Sequence, residues 1–85
     1  MSNNEQAPPR VYADFNNADP FGRLRLNCHG TVSDLQRENL TLKENMILTL
    51  YMEDIECVGT VTYSQPEGIW VAIIDWNAIR ESGSG

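Results

Sequence analysis

Apolar residues between positions 10 and 80 recur at every second place in several short runs, the period of half-buried strands, and clusters of Gly, Pro, Asn and Asp separate the runs. The pattern is clearest in the C-terminal half. Met46, Leu48, Leu50 and Met52 alternate with Ile47, Thr49 and Tyr51; after Glu53-Asp54, Ile55, Cys57, Gly59, Val61 and Tyr63 share a face; after 65–68, Trp70, Ala72, Ile74 and Trp76 do the same. Because inward residues must oppose inward residues, Leu50 falls opposite Cys57, Leu48 opposite Gly59, Val61 opposite Ala72 and Tyr63 opposite Trp70. This predicts a three-stranded antiparallel meander, with Cys57 facing Leu50 and Trp76. Gly59 falls inside it, between Leu48 and Ile74, where a strand without a side chain bends over a crowded core. Lys43-Glu44-Asn45 reads as a tight turn with Asn45 in left-handed backbone.

The N-terminal half is read in the same way. A strand over 10–16 turns Val11, Ala13 and Phe15 inward, and a second over 22–28 turns Leu24, Leu26 and Cys28 inward. Joined by the turn-rich 16–22, they form an antiparallel hairpin with Phe15 opposite Leu24, Ala13 opposite Leu26 and Asp14 opposite Arg25. Residues 31–42 fit a short helical turn or two brief strands, and are read as strand, turn, strand. The expected architecture is all-β: a five- to six-stranded antiparallel barrel of SH3-like or oligonucleotide-binding type, since a sandwich usually takes about 100 residues. One domain spans 10–80, with a disordered leader over 1–9 and a flexible tail over 81–85.

Length and charge narrow the functional classes. A chain of 85 residues holds one core and buries only about 60% of its unfolded surface. The net charge is −6 and the acid is concentrated after residue 43, so that half repels nucleic acid and anionic lipid. Two cysteines, and no apolar run near the roughly 20 residues of a membrane helix, are what a soluble protein of a reducing cytoplasm would show.

No residue pattern amounts to a catalytic, metal or cofactor signature. Cys28, His29 and Cys57 are the zinc-ligand types, but strand parity aims Cys28 and His29 at opposite faces, which favours structural thiols. Ser33 or a cysteine with His29 as base lacks an orienting carboxylate at a recognisable spacing. Glu53, Asp54 and Glu56 match no calcium loop. The chain is therefore read as no enzyme, with no cofactor.

Two surfaces remain. Arg10, Arg23 and Arg25 share the outward face of the expected hairpin with Tyr12 and Asn27, a candidate for weak nucleic-acid or anion binding. The outward residues of the meander, Ile69, Val71, Ile73, Val58, Tyr51 and Ile47, form a face too apolar for open water. Either the N-terminal segment or 31–42 folds over it, or it is an interface with another protein or a second copy.

The phrases Gly22-Arg-Leu-Arg-Leu-Asn27, Leu42-Lys-Glu-Asn-Met-Ile-Leu-Thr-Leu-Tyr51 and Trp70-Val-Ala-Ile-Ile-Asp-Trp76 are similar to a group of short uncharacterised bacterial proteins, over roughly residues 10 to 80. The resemblance implies a bacterial, non-secreted protein and carries over no activity and no functional residue. The sequence thus supports a non-catalytic protein-interaction or self-association module, with anion binding as the alternative and a small hydrolase or metal-site protein as the third.

Overall fold

The alternating runs of the C-terminal half build the centre of the molecule. In a computed structural model describing residues 7–81, the strands are β1 (Arg10–Tyr12), β2 (Leu24–Arg25), β3 (Ile47–Met52), β4 (Ile55–Ser64), β5 (Ile69–Ile74) and β6 (Arg80–Glu81), with one helix, α1 (His29–Arg37), between β2 and β3. Strands β3, β4 and β5 form the expected antiparallel meander. Leu50 pairs with Cys57, Leu48 with Gly59, Val61 with Ala72 and Tyr63 with Trp70. Asn45, at the turn into β3, has φ 69°. Gly59 lies between Leu48 and Ile74, and a Cβ there would come within 2.7 Å of Leu50 Cδ1.

The barrel expectation is corrected. The sheet is open and mixed, in the order β1-β3-β4-β5-β2, with β6 beside the start of β4. The predicted first hairpin does not form: β1 runs parallel to β3, and β2 pairs antiparallel with β5 at the opposite edge. Alternation fixes which face a residue takes but not which strand lies next to it. Val11, Ala13, Phe15, Leu24 and Leu26 are all buried in the core as read, yet Asp14 and Arg25 are not partners. The link between β1 and β2 crosses from one edge to the other with Ala13 and Phe15 in the core. Local side-chain turns shape it: Asp14 accepts from Asn16 N, and Asp19 Oδ1 from the amides of Phe21 and Arg23, 2.9 Å each.

The second correction is α1, which replaces strand, turn, strand. Its buried positions are Thr31 and Asp34, so only Leu35 of its packing face is apolar and no apolar period appears. Its end is a Schellman motif: Asn39 N donates to Gln36 O and Leu40 N to Leu35 O, with Asn39 at φ 57° and both leucines packed against the core. A third correction concerns Trp76. Strand β5 stops at Ile74, Asp75 caps a 3-10 turn (Trp76–Ala78) by accepting from Asn77 N, and Trp76 leaves the inward row. Its indole N–H donates to Gly22 O at 2.8 Å, with its ring edge-on to Phe15.

The β1 and β2 edges of the sheet are partly covered. Thr49 N donates to Pro9 O and Ala13 N to Tyr51 O, so the intervening Tyr12 backbone points away from β3. Its N–H is taken by Asp34 and its C=O by the Thr31 hydroxyl, both from α1. At the other edge Asp19 N donates to Arg23 O and Arg25 N to Asn17 O. Of the expected leader and tail, residues 1–6 and 82–85 lie outside the described residues, whereas Glu81 pairs with Ile55.

Candidate functional site

The inner face of the sheet is buried beneath the N-terminal half, since Leu35, Leu40 and Leu42 of the segment after β2 pack against the core cluster. On the outer face that segment reaches Tyr51, through Asp34, but leaves Ile47, Val58 and Ile73 exposed. Outer side chains form cross-strand rows: Arg10, Thr49 and Val58 in one; Ile47, Thr60 and Ile73 in the next; Thr62, Val71 and Arg25 beyond. Ile47 and Ile73 flank Thr60 in the middle row, with Val58 two residues before Thr60 on the same face, and the three are 43%, 49% and 50% exposed. Three strands thus hold three large apolar side chains in the open on a backbone braced from both sides.

The remaining interface candidates are placed differently. Val71 lies on the same face but is fully buried and belongs to no part of the inner core cluster. Arg25 stands opposite Val71, and its guanidinium reaches both carboxylate oxygens of Glu67 at 2.8 Å, so its stem runs across that stretch of β5. Ile69 and Tyr51 are half-buried. Tyr51 donates its hydroxyl to Asp34 and meets Tyr12 edge-on at 5.8 Å. That bond to Asp34, with burial, raises the Tyr51 pKa.

The three arginines of the anion-binding alternative are not brought together. Arg23 and Arg25 lie at the β2 edge, where Arg23 Nε pairs with Asp19 at 2.8 Å and Arg25 is chelated by Glu67. Arg10 lies at the β1 edge, beside Glu56 and over the Tyr51 ring, 4.6 Å from its centroid. Glu56 also accepts from Arg80 Nε and Nη2, at 3.1 and 2.7 Å. The bonds from Arg80 and then Arg10 hold the Glu56 carboxyl below the ordinary glutamate range. Arg80 was not singled out from the sequence. No sequence pattern marks it, because β6, which sets it opposite Glu56, is only two residues long.

The weighed chemical constellations do not assemble. Cys28 Sγ lies 3.1 Å from the Thr31 hydroxyl at the start of α1, while Cys57 is buried in the core, where burial raises its pKa. Among the described residues no group of three or more His, Cys, Asp or Glu side chains is placed to hold a metal ion. No hydrogen bond joins His29 to Ser33 or to either cysteine. Glu56 turns onto the outer face, away from the Glu53-Asp54 turn that joins β3 to β4. An open crevice of about 680 Å³ is lined by residues 39–46 without 42, but its Glu44 is already engaged by the Thr62 hydroxyl and Tyr63 N.

A further exposed group escaped the sequence reading. Phe21 is 77% exposed on the turn that Asp19 ties, with the Arg23 guanidinium over its ring and Trp76 bonded to the neighbouring Gly22. No helix among the described residues is long and apolar enough to cross a membrane. The chain matches no protein-family model, no curated protein and no solved structure.

Proposed function

We propose that the chain is a non-catalytic protein-interaction module that buries the middle of its outer sheet face against another protein surface. The observation that supports this reading is a contrast within one face: Ile47, Val58 and Ile73 are about half exposed, whereas Val71, two residues from Ile73, is sealed by the chain itself. Apolar residues scattered singly need no partner, whereas three grouped on one rigid sheet face are the pattern of an interaction surface. Burying the three side chains contributes at roughly 25 cal/mol per Å², less the costs of association. Those costs are limited here because the residues sit on paired strands whose backbone is already ordered. The free thiols Cys28 and Cys57 support a reducing compartment such as the cytoplasm.

The test is thiol accessibility at the centre of the face. Val58→Cys, in a chain carrying Cys28→Ser, is labelled with a maleimide in the cells that make the protein and again as highly dilute purified protein. Labelling should be several-fold slower in the cells, and adding Ile73→Glu should abolish that protection. Equal rates in the two settings would overturn the reading.

A further inference from the structure

All six cations of the chain lie among the described residues, and their pairing is uneven. Arg23 has Asp19, Arg25 has both oxygens of Glu67, and Arg37 has Asp34 with Glu38 beyond it. At Glu56 alone two guanidinium groups share one carboxylate, Arg10 on one oxygen and Arg80 on the other. Glu56 is 11% exposed, whereas Arg10 and Arg80 are 52% and 65% exposed. Among the described residues this one carboxylate is thus shared by two half-exposed guanidinium groups, which leaves N–H donors of both without a further carboxylate and one positive charge in excess.

These donors are also held in place. Arg10 is stacked on the Tyr51 ring, and Arg80 lies on β6, directly opposite Glu56 in the register. A guanidinium fixed on one side presents its planar fork to a second oxyanion with little further ordering. The position matters as much as the chemistry. Arg10 occupies the same cross-strand row as Val58, and Glu56 is two residues before Val58 on β4, about 7 Å along a strand.

Building on the interaction reading above, we infer that Arg10 and Arg80, aligned by Glu56, form a carboxylate-recognition pair at the rim of the Ile47, Val58 and Ile73 patch. The partner is then an acidic protein segment in which Asp or Glu flanks apolar side chains. The nearby Glu53-Asp54 turn works against a partner that is acidic throughout. It favours one whose carboxylate is placed singly, where the short-range fork can reach it.

Selection of a random peptide library on the full chain tests this directly. Peptides whose binding is lost with Ile73→Glu, and which therefore use the outer face, should be enriched in Asp or Glu beside apolar residues. Their binding should weaken roughly tenfold with Arg80→Met, as expected for loss of a charge-assisted hydrogen bond, while Arg80→Lys retains part of it. Thermal melting of both variants verifies folding, which Arg10 supports by remaining on Glu56. Recovery of no such peptides, or of peptides without acidic enrichment, would overturn the carboxylate pair. So would tighter binding of inorganic phosphate than of any selected peptide, detected at the Arg10 and Arg80 Nε–H signals. Protection of Val58→Cys in cells is independent of these outcomes, so the interaction reading can stand if this one fails.

Discussion

Asp34 accepts the backbone N–H of Tyr12 at 2.9 Å, across 22 positions of sequence. With the Tyr51 hydroxyl at 2.6 Å and Arg37, this one carboxylate joins α1 to β1 and β3. Burial pushes its pKa up, but the bonds from Tyr51, Tyr12 and Arg37 outweigh that and hold it below the ordinary aspartate value. A depressed folded pKa means stability that is present above the unfolded value, about 4, and is lost as the pH falls through the folded one. Asp34→Asn should therefore lower stability by about 1–3 kcal/mol at neutral pH, with the gap to the parent chain narrowing in acid. Urea unfolding at neutral pH and well below the aspartate range would show it; a constant gap would refute it.

Val71 and Ile73 point to the same side of β5, yet glutamate at the two positions should behave oppositely. Val71→Glu places an unpaired carboxylate where there is no exposure and should cost at least about 3 kcal/mol or prevent folding. Ile73→Glu, on the exposed row, should change the monomer by no more than about 0.5–1 kcal/mol. Thermal melts of the two variants decide it, and similar losses would mean that the face is not divided as described.

Two glycines should resist alanine for different reasons. At Gly59 the added methyl would lie 2.7 Å from Leu50 Cδ1 and 3.1 Å from Ile74 Cγ2, an overpacking expected to cost about 1–3 kcal/mol. At Gly30 alanine improves helix propensity by roughly 1 kcal/mol but would sit 2.6 Å from the Tyr12 ring. Because α1 fixes the Tyr12 backbone at both its N–H and its C=O, the clash should win and Gly30→Ala should lower the melting temperature. A rise would show that the ring swings aside freely.

Trp76→Phe keeps a ring against Phe15 and removes the bond to Gly22 O. The loss should be about 0.5–1.5 kcal/mol, with faster amide exchange in the 19–23 turn. Unchanged exchange there would mean that Asp19 alone holds the turn.

How much of this was readable from the sequence follows from strand length. On the ten residues of β4, alternation and a single inward glycine fix both neighbours, and the four cross-strand pairs expected for the meander are present, though Trp76 does not extend the row to Cys57. On β1 and β2, three and two residues long, alternation still marks the buried face but is satisfied equally by a hairpin and by two separate edges. The helix was hidden because Thr31 and Asp34, its buried residues, work as hydrogen-bonding groups. Asn39 was the available sign of its end. At the candidate surface the exposed trio was visible as outward residues of the meander. The sealing of Val71 by Arg25 and the meeting of Arg10 with Arg80 depend on strands that only the folded chain brings together.

Capping both outer strands has a consequence for what kinds of assembly are open to the molecule. With the outward Tyr12 groups taken by α1 and the far side of β2 occupied by residues 17 to 19, the β1 and β2 edges offer another strand little free backbone, and the further edge among the described residues is the two-residue β6. Strand addition at β1 or β2, the step that cross-β assembly would need there, has first to displace those caps. Association through the outer face leaves those caps in place, so it is the less costly way for this molecule to meet another.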